Sequence, residues 1–360
     1  LKLPITHTHA QLEKKIAKTL KNPGSSFTYE IKKQSLDCRH KNDKIFVYTV
    51  DVTIKDEQKI VKKVNNNNIT LTKEKIYQFP QPGETPLFHP PVIVGSGPAG
   101  LFCGWYLAKA GYCPVILERG EEADKRQKTV ENFWKNGVLD PESNVQFGEG
   151  GAGTFSDGKL NTLVKDPYGR NHEVLKRFVA AGAPEEIVYQ QKPHLGTDVL
   201  VGIVERMRHE IEDMGGKFCF RSKVTDLIFE NDALKEVEIN NSERIPAEVC
   251  VLALGHSARD TFEMLQKRGV YMEPKSFAVG LRIEHPQEMI NMDLYGEPEN
   301  ELLGAASYKV THKCENGRGV YSFCMCPGGY VVNASSEPGR LAVNGMSYQA
   351  RDSRNANSAM

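Results

Sequence analysis

Residues 91–118 confine this chain to a narrow set of folds. An apolar run, Val92-Ile93-Val94, feeds directly into Gly95-Ser96-Gly97-Pro98-Ala99-Gly100. A helical stretch follows, and a second apolar run over 114–117 ends in Glu118, 18 residues past Gly100. Strand, glycine turn, helix, strand and terminal carboxylate are the parts of a dinucleotide-binding βαβ unit, which places its acidic residue about 20 residues on. Gly95 permits the sharp turn out of the strand. Gly97 has no Cβ to hold the backbone away from a pyrophosphate, and Gly100 lets the helix lie close to the sheet. Ser96, Pro98 and Ala99 complete a turn whose free N–H groups, with the helix dipole, favour phosphate charge. Glu118 is expected to accept hydrogen bonds from both ribose hydroxyls, and its charge opposes a phosphate there, which argues against NADP(H) in this site.

The βαβ unit alone does not separate FAD from NAD. Residues 144–162, NVQFGEGGAGTFSDGKLNT, are the discriminating stretch. Glycines among small hydroxyl residues make a poor core but allow close backbone approach to a flat or anionic ligand. A simple NAD dehydrogenase has no use for a second such stretch, so FAD is the expected ligand of residues 95–118. The plain alternative is a flexible surface loop.

Several segments, VIVGSGPAGLF, ILERG, NVQFGEGGAGTFSDGKL, GLRIEHPQ, FCMCPGGYVV and NGMSY with ARDSRNANSA, give the chain a family likeness. It resembles the FAD-dependent dehydrogenases, largely uncharacterised bacterial flavoproteins of the glutathione-reductase-like FAD superfamily, over nearly its whole length. The first two segments are superfamily-wide and the others more specific. The resemblance implies that the first motif holds the FAD pyrophosphate, that Glu118 with the adjoining Arg119 serves the adenosine end, and that Gly150, Gly151, Gly153, Thr154 and Lys159 lie near the isoalloxazine. It further implies backbone contacts from Val224 to adenine, a turn at Ala253-Leu254-Gly255 beside the cofactor, and Arg126 as a neutraliser of the pyrophosphate; the plain reading of Arg126 is a solvated residue on an exposed helix. Members of the family continue with a glycine-rich segment that covers the flavin. This chain begins at Leu1 and stops at Met360, so it reads as a fragment lacking the C-terminal part.

The fold class expected is α/β: a Rossmann-like FAD-binding domain over 92–266, an incomplete β-rich substrate domain over 267–360, and a small N-terminal α/β domain over 1–80. Residues 81–91 form a Pro-rich linker. The N-terminal part holds 16 Lys+Arg against 8 Asp+Glu although the whole chain is neutral, which sets it apart. Leu12, Ile16 and Leu20 predict a helix over 8–21, stopped by Asn22-Pro23-Gly24. Alternation from Phe46 to Ile54 predicts a strand, followed by a Lys-rich stretch, an asparagine turn at 65–68 and a second strand over 69–77. The stripe Leu200, Ile203, Val204, Met207 and Ile211 predicts a helix capped by Thr197 or Asp198 and stopped by Gly215-Gly216. From about Gly269 the chain reads as strands and loops without helical periodicity.

The eight cysteines form no CxxC pair, so neither a zinc ribbon nor a thioredoxin-type site is written here, and scattered cysteines fit a reducing cytoplasm. No apolar stretch is long enough to span a bilayer. Candidates for a catalytic group are Lys159, as a positive charge near the flavin N1/C2 edge, and Cys324 with Cys326, whose sulfurs share one face of a regular strand. The plain readings are a solvated lysine and two small residues shaping a cavity. Ser156 lies in GxxSxG spacing, which is not a nucleophile elbow. These features predict an FAD-dependent oxidoreductase acting on a small-molecule substrate. With one complete fingerprint present, NAD(P)H would bind as a transient donor or not at all. The other reading gives the basic N-terminal domain an RNA or protein partner, without an aromatic nucleic-acid motif to support it.

Overall fold

The run Val92–Val94 forms the second strand of a four-stranded parallel sheet, in the order Cys250–Leu252, Val92–Val94, Val115–Leu117, Lys217–Cys219. The earliest strand thus lies between the latest and the second, so the strand order reverses at its C-terminal end. In an open parallel sheet that reversal leaves a crevice for a ligand. This is the doubly wound, Rossmann-like arrangement expected. The computed structural model describes all residues except 23, 25, 74, 75 and 163.

Helix Pro98–Lys109 starts from an extended Gly97 with proline in its first turn, where a missing N–H costs nothing. A Cβ on Gly104 would stand 3.3 Å from the Ile116 side chain and 3.5 Å from that of Ile211, so glycine lets this helix seat against strand and neighbouring helix together. That neighbour, Thr197–Asp213, buries Leu200, Ile203, Val204, Met207 and Ile211 as predicted. Its cap is Gly196, one residue before the predicted Thr197. The antiparallel strands Val224–Glu230, Ala233–Ile239 and Glu243–Pro246 close the core with Val224, Leu227, Val237 and Ile239, packed with Val92, Val94, Leu117 and Leu265. Each such side chain contributes about 1.5–3 kcal/mol by leaving water.

The chain separates into two compact units, each gathered from distant stretches. The parallel sheet belongs to the unit of residues 80–158, 195–285 and 309–360. Its C-terminal part is β-rich, as expected, and its strands are antiparallel: Arg282–Pro286, Asn355–Ala359 and Phe323–Cys326 form one sheet, and Tyr330–Asn333 pairs with Val343–Met346.

The other unit takes residues 1–79 together with 159–194 and 286–308, where the sequence suggests an N-terminal domain ending at 80. Strand Ile45–Ile54 is central, between Lys2–Pro4 and Phe27–Asp37. Helix His9–Thr19 is fixed by a capping box, with the Thr8 N–H donating to Gln11 Oε1 at 2.8 Å and the Gln11 N–H to Thr8 Oγ1 at 3.4 Å. Leu12 and Ile16 are buried beneath it. The Gln34 N–H donates to the Tyr189 carbonyl at 2.8 Å, and Lys44 pairs with Glu297 at 2.6 Å, joining the three stretches. Burial, with Cys38 nearby, pushes the Tyr295 hydroxyl up to about 12.

Several elements depart from the sequence expectations. No strand forms over 69–73 or 76–77, and residues 74 and 75 of that predicted strand, like Pro23 of the predicted helix stop, lie outside the described residues. The Lys-rich stretch is a helix, Glu57–Val64, burying only Ile60 and Val64. A helix Gln287–Tyr295 interrupts the region expected to hold none, and its buried stripe is Gln287, Asn291 and Tyr295, so no apolar period betrays it. Gln287 Nε2 donates to Asn291 Oδ1 at 2.8 Å and to the Ala306 carbonyl at 2.9 Å. Among the described residues no helix is long and apolar enough to cross a membrane.

Candidate nucleotide site

A cavity of about 660 Å³ opens where the strand order reverses. Gly95, Gly97, Pro98 and Ala99 form one wall, Gly148 and Gly151–Gly153 another, and the turn from Leu252 to Ala258 a third. Glu118, Arg119 and Val224 line the same space. Most of the residues read from the sequence as cofactor contacts thus meet around one cavity, Gly255 included.

The glycines have the geometry their spacing implied. Gly95 has φ +102°, and a Cβ there would meet the Ala253 carbonyl oxygen at 2.5 Å. A Cβ on Gly100 would stand 1.9 Å from the Gly95 carbonyl oxygen, so helix and turn pack with no room for a side chain. Gly97 differs. The nearest atom to its Cβ would be the Gly151 Cα, at 3.7 Å, and Gly151 in turn faces the Gly97 Cα. Two backbone segments without side chains therefore oppose each other, as a cradle for a pyrophosphate requires.

Glu118 occupies the expected place but not in the expected way. It is 4% exposed, and both carboxylate oxygens are engaged by the protein. Oε2 accepts the Ser96 N–H at 2.9 Å and the Ser96 hydroxyl at 2.8 Å; Oε1 accepts the N–H of Gly120 at 2.9 Å and of Gly148 at 3.0 Å. A carboxylate offers about four acceptor positions. Glu118 thus ties both glycine loops to the strand end, and Ser96 faces this carboxylate and does not line the cavity.

Arg126 is not at the cavity surface. It is fully buried, with Nε donating to the Asn144 carbonyl at 2.9 Å, Nη1 to those of Glu149 at 2.6 Å and Gly151 at 2.9 Å, and Nη2 to that of Val145 at 3.0 Å. Its guanidinium lies 4.9 Å from the centre of the Phe155 ring. Burial lowers it to about 10, opposed by Glu118 and Glu149, so it stays charged at neutral pH. The sequence places Arg126 on an exposed helix or at a phosphate; instead it holds the second glycine loop from beneath. Gly150 and Thr154 also build that loop: a Cβ on Gly150 would stand 2.2 Å from Thr154 Oγ1. Burial pushes Glu149 up while the Ala123 N–H and Arg208, at 2.8 Å, pull it down.

At the rim, Arg119 pairs with Glu142 at 2.7 Å and Asp260 at 2.9 Å, and Lys223 with the same two carboxylates at 3.0 and 2.6 Å. Burial works to raise Asp260, but hydrogen bonds from Arg119 and Lys223 hold it far below the usual carboxylate range. In the second glycine loop Asp157, 1% exposed, accepts from Arg351 Nε at 2.9 Å and Nη2 at 2.6 Å and from the Ser347 hydroxyl.

The catalytic candidates do not line the cavity. Lys159 belongs to the other unit, in a β-bridge with His194. A bulge between Phe323 and Cys326, with Cys324 at φ +46°, breaks the alternation that would have put both sulfurs on one face. Cys326 is buried and Cys324 only partly so. Sequence reasoning missed Gln146, Phe147, Lys223, Thr261, Phe262 and Met272 as lining residues. Only the first two stand in a motif that drew attention. Among the described residues no group of His, Cys, Asp or Glu could hold a metal ion.

Residues 93–128 match the family model of an NAD(P)-binding Rossmann-like domain. The chain has a Rossmann-like nucleotide domain. Residues 276–360 match the model described as FAD-dependent protein, C-terminal domain-like, and residues 1–53 that of a domain of unknown function. An uncharacterized protein of Clostridium beijerinckii is 48% identical over 97% of this chain, and the match spans 66% of that protein's length. Partial likeness extends to the Thermovibrio ammonificans THI4 structure, with 20% identity, 50% of this chain and 62% of that one covered, and a TM-score of 0.33. For L-amino acid deaminase from Proteus vulgaris the figures are 14%, 54%, 53% and 0.29. For OTEMO in complex with FAD and NADP they are 16%, 46%, 25% and 0.29.

Proposed function

We propose that this chain is the nucleotide-binding part of an FAD-dependent oxidoreductase acting on a small molecule. The observation that carries the reading is the opposition of Gly97 and Gly151 across a cavity at the strand-order reversal. FAD bound there would supply a reversible carrier of a hydride or of single electrons. The match of residues 276–360 to FAD-dependent proteins supports FAD over NAD.

The fit of the residues is good at the pyrophosphate and apolar at the far end. Gly95, Gly97 and Gly151 would let the backbone approach the phosphates, and the first amides of helix Pro98–Lys109 would face their charge. Val224, Leu252, Phe262 and Leu265 offer an apolar wall for a heterocycle. Glu118 would hold the two loops in register and meet the ribose only by exchanging a protein donor for a hydroxyl. With one fingerprint present, NAD(P)H would reach the flavin only transiently, as donor.

The test is to purify the protein, denature it and identify what is released. FAD in near-stoichiometric amount supports the reading; tightly bound NAD with no flavin overturns it. Anaerobic reduction with a panel of donors then identifies the electron source.

A further inference from the structure

The N-terminal unit carries an open groove of about 890 Å³. One wall is a single face of helix His9–Thr19, where Ala10, Glu13, Lys14, Ala17 and Lys18 recur at intervals of three and four. Lys21, just past the helix, continues that wall, its ammonium 3.5 Å from the Val64 carbonyl. The other wall is the start of strand Phe27–Asp37, through Phe27 and Tyr29. That strand is an edge of its sheet, and neither Lys2–Pro4 nor Ile45–Ile54 lines the groove, so the groove opens on the strand's outer side.

Protection of this edge is uneven. An edge strand offers unpaired N–H and C=O groups to any passing chain, and bulges or covering segments blunt it. Here the bulge falls between Ile31 and Lys33, and Gln34 exchanges backbone hydrogen bonds with Tyr189 and Gln191 at 2.8 and 3.0 Å. Among the described residues, the backbone of Phe27–Ile31 bonds to nothing beyond its partner strand Ile45–Ile54. The open stretch is thus the one that borders the groove.

Charge says what the groove would accept. Lys14 and Lys18 are exposed and, among the described residues, pair with no carboxylate. Like charges four residues apart destabilise a helix, and an anion between them relieves the repulsion. Glu13 sits at the Tyr29 end, where burial and then the Glu13 carboxylate push the Tyr29 hydroxyl up. A second copy of the chain would set lysines against lysines. Single-stranded nucleic acid would need open ring faces. Phe27 and Tyr29 instead pack on each other, 6.3 Å apart and inclined by 49°, and on the core that holds Leu12 and Ile16.

We propose that this groove takes an extended acidic peptide of a partner protein, added as a further strand beside Phe27–Ile31. Helix-facing residues of such a strand recur about every 6.6–6.8 Å, and Lys14 and Lys18 stand about 6 Å apart along the helix axis, so carboxylates at alternate positions reach both. Main-chain hydrogen bonds supply affinity, and the lysines select the charge. The groove lies wholly within the N-terminal unit and is independent of the FAD reading.

A fluorescein-labelled peptide alternating glutamate and valine is titrated against the full chain by fluorescence anisotropy, beside its lysine–valine counterpart. The glutamate peptide is expected to bind and the lysine peptide not. Two glutamate peptides N-methylated at alternate residues, one for each set, should differ, because one set alone turns its N–H groups to the strand edge. Lys14→Glu combined with Lys18→Glu, both on exposed helix, should weaken the glutamate peptide roughly tenfold and admit the lysine peptide. Admission of the lysine peptide shows that the variant is folded. No binding of the glutamate peptide by the parent, equal binding of the two methylated peptides, or unchanged affinity in the double variant overturns the proposal. An oligothymidylate that binds more tightly than the glutamate peptide, and is lost in the same double variant, also overturns it by making the groove a nucleic-acid site.

Discussion

Ser96 reaches Glu118 with both its donors at one oxygen, the N–H at 2.9 Å and the hydroxyl at 2.8 Å. The acid at the end of the second strand therefore organises the glycine turn from behind. Glu118→Ala would strand buried donors on three backbone segments. It should lower stability by roughly 2–4 kcal/mol in protein stripped of any ligand, as well as weaken cofactor binding. Chemical denaturation of the stripped variant checks this. A variant as stable as the parent would mean that ribose recognition is the residue's main task after all.

Gly97 and Gly100 should fail in different ways. Gly97→Val adds atoms toward the cavity, where its Cβ meets nothing nearer than 3.7 Å, so the protein should fold and lose its cofactor. Gly100→Ala sets a Cβ 1.9 Å from a carbonyl oxygen, so it should fold poorly or not at all. Circular dichroism and bound chromophore, measured on both, distinguish the outcomes. Normal cofactor occupancy in folded Gly97→Val would make that motif structural.

Asp157 and Arg351 join the second glycine loop to the C-terminal segment through a pair that is 1% and 14% exposed. Asp157→Ala leaves the guanidinium buried without its partner and should cost about 3–5 kcal/mol. The double variant Asp157→Leu with Arg351→Met should recover much of that loss. If the single variant unfolds at the parent's denaturant midpoint, the pair contributes nothing.

Asp260 gives a pH signature. Its folded pKa is depressed, so its stabilisation is complete above the unfolded value of about 4 and is lost as pH falls through the folded one. Asp260→Asn should therefore melt below the parent by a constant margin from pH 8 to about 5, and the margin should shrink only below about 4. Its side chain is 43% exposed, so solvent screening keeps the effect to the order of 1 kcal/mol or less. A margin that disappears near neutral pH would contradict this assignment.

The sequence made the candidate site legible where backbone geometry dictates residue type. Gly95, Gly97 and Gly100 could be read singly: the first and third have no room for a Cβ, and the second opens on the cavity. Arg126 was misread because nothing local distinguishes a solvated arginine from one that bonds the carbonyls of residues 144–151; only the tertiary fold supplies those partners. Glu118 lines the cavity, but its bonds could not be read, since Gly148 reaches it from 30 residues away. Helix Gln287–Tyr295 escaped because its inward face is amide and phenol, which hydrophobic periodicity cannot register. Strand Phe27–Asp37 escaped for a related reason, its alternation being broken by a bulge between Ile31 and Lys33.

The N-terminal unit needs residues 286–308 as well as 1–79 and 159–194. On a ribosome adding about 5–20 residues per second, its last stretch emerges some 15–60 s after its first. Until then the opening sheet has its own strands and helices but lacks the contacts that Tyr189 and Glu297 bring to Gln34 and Lys44. A cut after residue 79 would keep the sheet and the core of Leu3, Leu12, Ile16, Tyr48 and Ile60 but strip away the two later stretches, so nascent-chain arrest suits the question of when the unit closes better than excision.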